Sequence, residues 1–219
     1  MEAEIVRTVA PGPQAETMPQ GPAHVADLLG SISNAFSTID VEVVAAVARI
    51  LGDALRAQRT ILLLGNGGSC ATASHLATDL AMLAREASLK ASVVSLNDNP
   101  YLVTATANDY GFAESGAALV EAMASAHDVL VIFSCSGRSP NLVSAAHAAA
   151  GRGVTTILVG SSLAPIDFPA RHGILVNSRH YSVIESVHVA LAHALSDLLR
   201  ARFAVESSRC ARELLRGDA

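Results

Sequence analysis

The sequence has little of what several common classes of protein require. Tryptophan is absent, aromatic residues make up 4% of the 219 residues and charged residues 16%. The net charge is −5 and no basic stripe is interleaved with aromatic residues, so we expect no nucleic-acid partner. Cys70, Cys135 and Cys210 form an odd set without CxxC spacing. They indicate neither a disulfide framework nor a cysteine zinc site, and they fit a reducing cytoplasm.

Long uncharged apolar runs are also lacking. None approaches the roughly 18 residues of a membrane span, and the opening MEAEIVRTVAPGPQ has no charged-then-apolar signal pattern. We therefore expect a cytoplasmic protein with no membrane partner. Hydrophobic residues make up 51% of the chain, and Ala, Val and Leu supply most of this apolar character. This composition is typical of a compact α/β fold with helices packed closely on a parallel sheet.

The chain divides into a leader, one domain and a tail. Residues 1–22 contain four prolines and little periodicity, which predicts a flexible leader. Residues 23–203 form the domain, and residues 204–219, richer in Arg and Glu, are a helical extension or tail. Within the domain, helical spacing interrupted near residues 37–40 predicts two N-terminal helices, with Asp40 as the N-cap of the second, or one bent helix. A long C-terminal helix is expected to start near Tyr181.

Five apolar runs predict a five-stranded parallel sheet flanked by helices, which is a single α/β sandwich. The runs are residues 61–64, 90–96, 128–134, 154–160 and 173–177. Residues 97–112 are expected to form a polar loop, and residues 141–150 an alanine-rich helix. Because ligands of parallel sheets bind beyond the carboxyl ends of the strands, the loops after the first and third runs are expected to share one ligand.

The first of these loops is GNGGS, residues 65–69, which we call the glycine loop. It precedes a helix for which Ser69 is the expected N-cap, and free N–H groups at a helix start favour an anion. Cys70 stands at the third glycine position of GxGxxG and no Gly-Lys-Ser/Thr ending follows, so no nucleotide cofactor is expected. The alternative is a tight turn without a ligand.

The second loop is SCSGRS, residues 134–139, which we call the serine loop. Its three serine hydroxyls lie around a glycine at the start of a helix, where they can donate to phosphate oxygens. Read alone, such a turn is more often a helix cap. Arg138 could add charge or point to solvent.

Ionisable side chains recur at helical spacing on two helices. His75 and Asp79 are four residues apart and share a face, which suits proton transfer or metal binding, although a packed histidine is the alternative. Glu185 and His193 lie about 12 Å apart along the last helix and reach one ligand only by leaning together. His188 projects from a different flank and ranks below His193.

Both loops, the spaced His75 and Asp79, and IESVHVALAH at residues 184–193 occur in an order that resembles the sugar isomerase (SIS) domain family, and within it the phosphoheptose isomerases. The resemblance runs from about Ala46 to Leu199 and includes ANDYGF at residues 107–112. It implies an aldose–ketose isomerase that converts sedoheptulose 7-phosphate to D-glycero-D-manno-heptose 7-phosphate through an enediol. It also implies a homotetramer with active sites between subunits. The alternative is a non-catalytic SIS module that binds a phosphosugar or a protein.

The resemblance also implies roles for individual residues. Asp79 and His193 would be the two catalytic acid–base residues. Asp79 stands where the family has glutamate, and Glu185 where it has glutamine. One zinc ion per subunit would be held by His75, Asp79, Glu185 and His193, all of which can ligate zinc. The implied substrate-binding residues are Asn66, Gly67, Gly68, Ser69, Asn108, Asp109, Ser134, Ser136, Ser139 and Glu185.

Overall fold

The structure is a computed structural model that describes residues 21–164 and 168–216, with side chains up to residue 204. The predicted leader, apart from its last two residues, and the side chains of the predicted tail from residue 205 onward lie outside the described residues. Helix α1 already begins at Pro22, the last residue assigned to the leader.

A parallel sheet of five strands forms the centre of the protein, in the order β2-β1-β3-β4-β5. The five-stranded parallel sheet expected from the apolar runs is thus confirmed. The strands are β1 Ile61–Gly65, β2 Val93–Ser95, β3 Val129–Ser134, β4 Thr155–Ser161 and β5 His172–Val176. Strands β1 and β3 are adjacent, with Gly65 opposite Phe133, so the glycine and serine loops leave the sheet side by side.

Helices cover both faces of the sheet. In the described ranges they are α1 Pro22–Ser37, α2 Val41–Arg56, α3 Gly68–Glu86, α4 Pro100–Tyr110, α5 Phe112–Met123, α6 Pro140–Gly151 and α7 Tyr181–Arg216. The predicted break between the two N-terminal helices is confirmed. Asp40 is the N-cap of α2, and its carboxylate accepts hydrogen bonds of 3.0 and 3.2 Å from the N–H groups of Glu42 and Val43.

Alternate residues of the central strands supply two cores. Leu63 of β1 and Phe133 of β3 face α1, α2, α3 and α7, whereas Leu64 and Ile132 face α5 and α6. Burial on both faces explains why these strands are continuous apolar runs instead of alternating patterns.

Helix α7 is long and apolar enough over Tyr181–Ala204 to cross a membrane by length and composition, and among the described helices it alone meets that test. Half of that stretch is buried inside the protein, where Val187 and Leu195 belong to the core. In this fold, therefore, α7 is a core helix of the sheet's first face.

The polar loop predicted for residues 97–112 is wrong, because most of this segment is helix α4. Asn99 caps the helix by accepting a 3.1 Å hydrogen bond from the N–H of Leu102, and Pro100 occupies the first turn. An Asn–Pro pair of this kind is a helix start, but the Tyr, Thr and Asn residues that follow have low helix propensity and obscured the signal. Gly111, with a φ of 81°, ends the helix.

The prediction that Ser69 caps α3 is also wrong. The helix already begins at Gly68, and Gly67 occupies the N-cap position with a φ of 54°, which suits glycine. Ser69 therefore lies inside the first turn, where it is buried.

Candidate active site

The glycine and serine loops line one cavity of about 130 Å³ beyond the carboxyl ends of β1 and β3. We call it the loop cavity. The two loops therefore meet at one place, as a shared ligand would require. Among the described residues, its lining includes no Lys or Arg, so any anion held there would rely on hydroxyls, amides and helix ends. The polar lining residues are Asn66, Ser69, Ser134, Cys135, Ser136, Ser139, Tyr181 and Glu185.

The glycine loop is shaped by close backbone contact. A side chain at Gly65 would lie 2.6 Å from the backbone carbonyl oxygen of Ser69, so only glycine fits where β1 turns into α3. The Asn66 amide nitrogen donates to Asn141 Oδ1, and the Asn141 amide donates back to Asn66 Oδ1, both at 2.9 Å. This pair connects the glycine loop to α6, the helix that follows the serine loop.

The three serine hydroxyls of the serine loop differ in the hydrogen bonds that they make. Ser134 Oγ accepts a 3.2 Å hydrogen bond from the N–H of Gly137, so it is partly used within the loop. Ser136 Oγ and Ser139 Oγ lie 3.3 Å apart. Ser139 occupies the N-cap position of α6 but makes no capping hydrogen bond with its side chain. The cap interpretation therefore does not account for Ser139, whose hydroxyl lies at the cavity beside the start of α6.

Glu185 brings a negative charge to the other wall of the loop cavity. A side chain at Gly68 would lie 2.6 Å from both carboxylate oxygens of Glu185, so this carboxylate sits against the start of α3. The positive end of the helix dipole favours a carboxylate in this position. Since the start of α3 is already faced by Glu185, the start of α6 and the serine loop are the better place for a phosphate.

A second group of ionisable side chains lies between α3 and α7. His75 Nε2 is 3.5 Å and His193 Nδ1 is 3.9 Å from Asp79 Oδ2, and the two imidazole rings are 4.6 Å apart, edge to face. One ligand atom from each residue lies within 4.8 Å of the others. We call this group the His–Asp–His cluster; its side chains are 27 to 57% exposed.

Most of the predicted site residues are thus divided between the loop cavity and the His–Asp–His cluster. The cluster contains three of the four expected zinc ligands, and Glu185 lies outside it, in the wall of the loop cavity. Asn108 and Asp109 lie elsewhere, exposed at the end of α4 and hydrogen-bonded to each other at 2.9 Å. Asp109 lines a separate groove between α4 and α5.

Two other candidates lie away from both places. Arg138 lines a groove between α5 and α6 with Glu114 and Glu121, not the loop cavity. His188 is fully buried, and its ring packs edge-on against Phe133 with 5.7 Å between the ring centroids. Its ranking below His193 as a site residue therefore agrees with the structure.

Sequence reasoning missed three residues at these places. Cys135 and Tyr181 line the loop cavity, and Ser196 donates a 3.1 Å hydrogen bond to Asp79 Oδ2. Burial is the main factor that raises the pKa of Cys135 to about 11, against a smaller opposing effect of the Ser69 hydroxyl, so the side chain is a thiol at neutral pH. Ser196 follows His193 by three residues, a helical spacing that could have revealed it.

These features define a parallel α/β protein with a candidate small-molecule site at the end of β1 and β3, where the chain leaves the two neighbouring strands for opposite faces of the sheet. The chain belongs to the SIS domain family, whose family model matches residues 26–161.

Its similarity to phosphoheptose isomerases extends over most of the chain. It is 32% identical to the enzyme of Bradyrhizobium sp. (strain BTAi1) over 74% of this chain and 84% of that protein. It is 35% identical to the enzyme of Solidesulfovibrio magneticus over 75% of this chain and 80% of that protein. The solved phosphoheptose isomerase from Neisseria gonorrhoeae superposes with a TM-score of 0.70 at 30% identity, covering 82% of this chain and 96% of that one.

Proposed function

We propose that this protein is an aldose–ketose isomerase that converts sedoheptulose 7-phosphate to D-glycero-D-manno-heptose 7-phosphate. The observation that carries the proposal is the pairing of an anion-suited cavity with an acid–base cluster in a chain that resembles phosphoheptose isomerases over most of its length. The substrate is therefore a phosphorylated sugar.

The loop cavity supplies the binding half of the proposal. Ser136, Ser139 and the backbone N–H of Asn141 would hold the phosphate, with Ser134 shaping the loop. Asn141 supplies the first N–H of α6, since Pro140 has none and the N–H groups of Leu142 and Val143 donate to the carbonyl oxygen of Ser139. Glu185 accepts hydrogen bonds and repels phosphate, so it would face sugar hydroxyls together with Asn66. Gly67, Gly68 and Ser69 form the turn that leaves room for this end of the sugar.

The His–Asp–His cluster supplies the chemical half. Isomerisation removes a proton next to a carbonyl and returns one to the neighbouring carbon, so it needs a base and an acid within reach of both. Asp79 would accept the proton and His193 would donate one to oxygen, since their reacting groups lie 3.9 Å apart on different helices. Each has a second oxygen or nitrogen that can serve a metal at the same time.

Zinc fits the cluster, because two imidazoles and a carboxylate lie close enough to share one ion, and this donor set suits zinc. His75, Asp79 and His193 would hold one ion per subunit. Bound there, zinc would polarise the sugar carbonyl. Glu185 is the expected fourth ligand, but its place at the loop cavity favours a contact to substrate. We propose no nucleotide cofactor, since the glycine loop lacks both nucleotide motifs.

We further propose a homotetramer in which subunits share active sites, in the cytoplasm. Asn108 and Asp109 are exposed away from the loop cavity of their own chain, so they would serve the cavity of a neighbouring subunit. An apolar groove of about 600 Å³ between the α1–α2 junction and α7 offers a surface for subunit contact. Exposed Phe36, Val41 and Leu198 line it.

The test is turnover of sedoheptulose 7-phosphate with zinc supplied, measured as aldose phosphate formed. His193→Ala should lower kcat by about 10²-fold or more, as expected for loss of an acid–base group. His147→Ala, at an exposed position on α6, is the matched control and should keep full activity. A wild-type protein that binds the sugar phosphate but forms no aldose would refute the enzyme assignment in favour of a binding module.

A further inference from the structure

We infer that Ser196 is a positioning residue that holds the Asp79 carboxylate in its place within the His–Asp–His cluster. The inference rests on the proposed function, because it assigns Ser196 a part in the site where Asp79 acts. It concerns a residue that neither the loop motifs nor the expected ligand set includes.

The hydrogen bond from Ser196 connects two helices that are far apart in the sequence. Ser196 on α7 is 2% exposed, and its hydroxyl donates to Asp79 Oδ2 on α3 at 3.1 Å. The same oxygen faces His75 Nε2 and His193 Nδ1. Asp79 Oδ2 is therefore surrounded by three groups that can donate, and Ser196 is the buried one.

A serine in a helix can also satisfy its hydroxyl locally. Ser196 Oγ lies 2.9 Å from the carbonyl oxygen of Ala192 and 3.1 Å from that of His193. A hydroxyl has one proton to donate, so these carbonyls compete with Asp79. A hydrogen bond to an ionised acceptor is roughly twice as strong as one between neutral groups, so the carboxylate is the favoured partner.

Asp79 needs such a partner because its side chain is short and partly open to solvent. Free to rotate, the carboxylate would spend part of its time turned away from the two imidazoles, and a displacement of about 1 Å at a reacting group can cost on the order of a hundredfold in rate. His193 and Ser196, three residues apart, lie on one face of α7. That face thus supplies one member of the cluster and orients another.

The test compares Ser196→Ala with a matched serine on the same helix. Ser186 donates to the carbonyl oxygen of Ser182 at 2.8 Å, which is the same kind of bond within the helix, and no described hydrogen bond joins it to Asp79. Two readouts are taken on the full-length protein: the dissociation constant for zinc, by competition with a chromophoric chelator, and kcat and KM for sedoheptulose 7-phosphate.

Ser196→Ala should weaken zinc binding about tenfold and lower kcat about tenfold, with little change in KM, as found when the hydrogen-bond partner of a metal ligand is removed. Ser186→Ala should change neither. Alanine is the best helix former, so both variants should fold. In an Asp79→Ala background, Ser196→Ala should have no further effect on zinc affinity, because the partner is already gone.

The inference is overturned if Ser196→Ala matches Ser186→Ala in both readouts, or if its effect on zinc affinity persists without Asp79. If the wild type binds no zinc, the kcat comparison decides alone. A wild type without isomerase activity whose zinc affinity still depends on Ser196 would refute the proposed function while supporting the positioning role.

Discussion

Lowering the pH from 7.5 to 5.0 should destabilise this protein through His188, the core histidine of α7. Its side chain is fully buried against Phe133, and neither ring nitrogen makes a hydrogen bond of normal geometry within the described part of the chain. Burial lowers the pKa of His188 from its ordinary 6.5 to about 4, against a smaller opposing effect of the Gly160 backbone. Folding therefore favours the neutral imidazole.

The direction and size of the effect follow from these two pKa values. Because the folded-state pKa lies below the unfolded one, the unfolded chain binds more protons, and stability falls as the pH falls. The contribution is complete above about pH 6.5 and is lost progressively toward pH 4. Between pH 7.5 and pH 5.0 the linkage relation gives a loss of about 2 kcal/mol in the free energy of unfolding.

Urea unfolding at both pH values measures this loss in the wild type and in His188→Leu, which places an apolar side chain of similar size in the core. The variant should lose about 2 kcal/mol less than the wild type over this range. His147→Gln, at an exposed position, should keep the wild-type dependence. Protein concentration is held constant, because association would shift stability. If the wild type and His188→Leu lose equal free energy of unfolding, the pH dependence does not arise from His188 and the reasoning is refuted.

Two glycines give further predictions. Gly116→Ala should destabilise the protein by about 2 kcal/mol or more, since the new methyl group would lie 1.9 Å from the backbone oxygen of Asn141. Gly151→Ala is the control, because a methyl group there would extend into open space. A similar urea midpoint for the two variants would contradict the close packing of α5 on α6. Gly68→Ala should leave the urea midpoint nearly unchanged, because the flexible end of Glu185 can move away from the new methyl group. The displaced Glu185 should lose one hydrogen bond to the sugar, which should raise KM for sedoheptulose 7-phosphate about fivefold. An unchanged KM would argue against a substrate contact by Glu185.

Local sequence patterns were sufficient to predict the sheet and the position of the loop cavity. An apolar run that is buried on both faces can be recognised residue by residue, and parallel strands necessarily bring their following loops to one edge. The pair His75 and Asp79 was likewise readable, because residues four apart share a helix face. Helix α4 was missed because its start lies in the single pair Asn99 and Pro100, while the residues after it favour other conformations.

The sequence by itself determined the strands, the two loops and the family resemblance. Only the tertiary structure decided which side chains of α7 reach which place: Glu185 against Gly68, His188 into the core, and His193 with Ser196 beside Asp79. The physical reason is that α7 is apolar on more than one side, so its periodicity does not single out one inward face. Its rotation is set by packing against α2, α3 and the sheet, and the contacts with α2 and α3 join residues about a hundred or more positions apart.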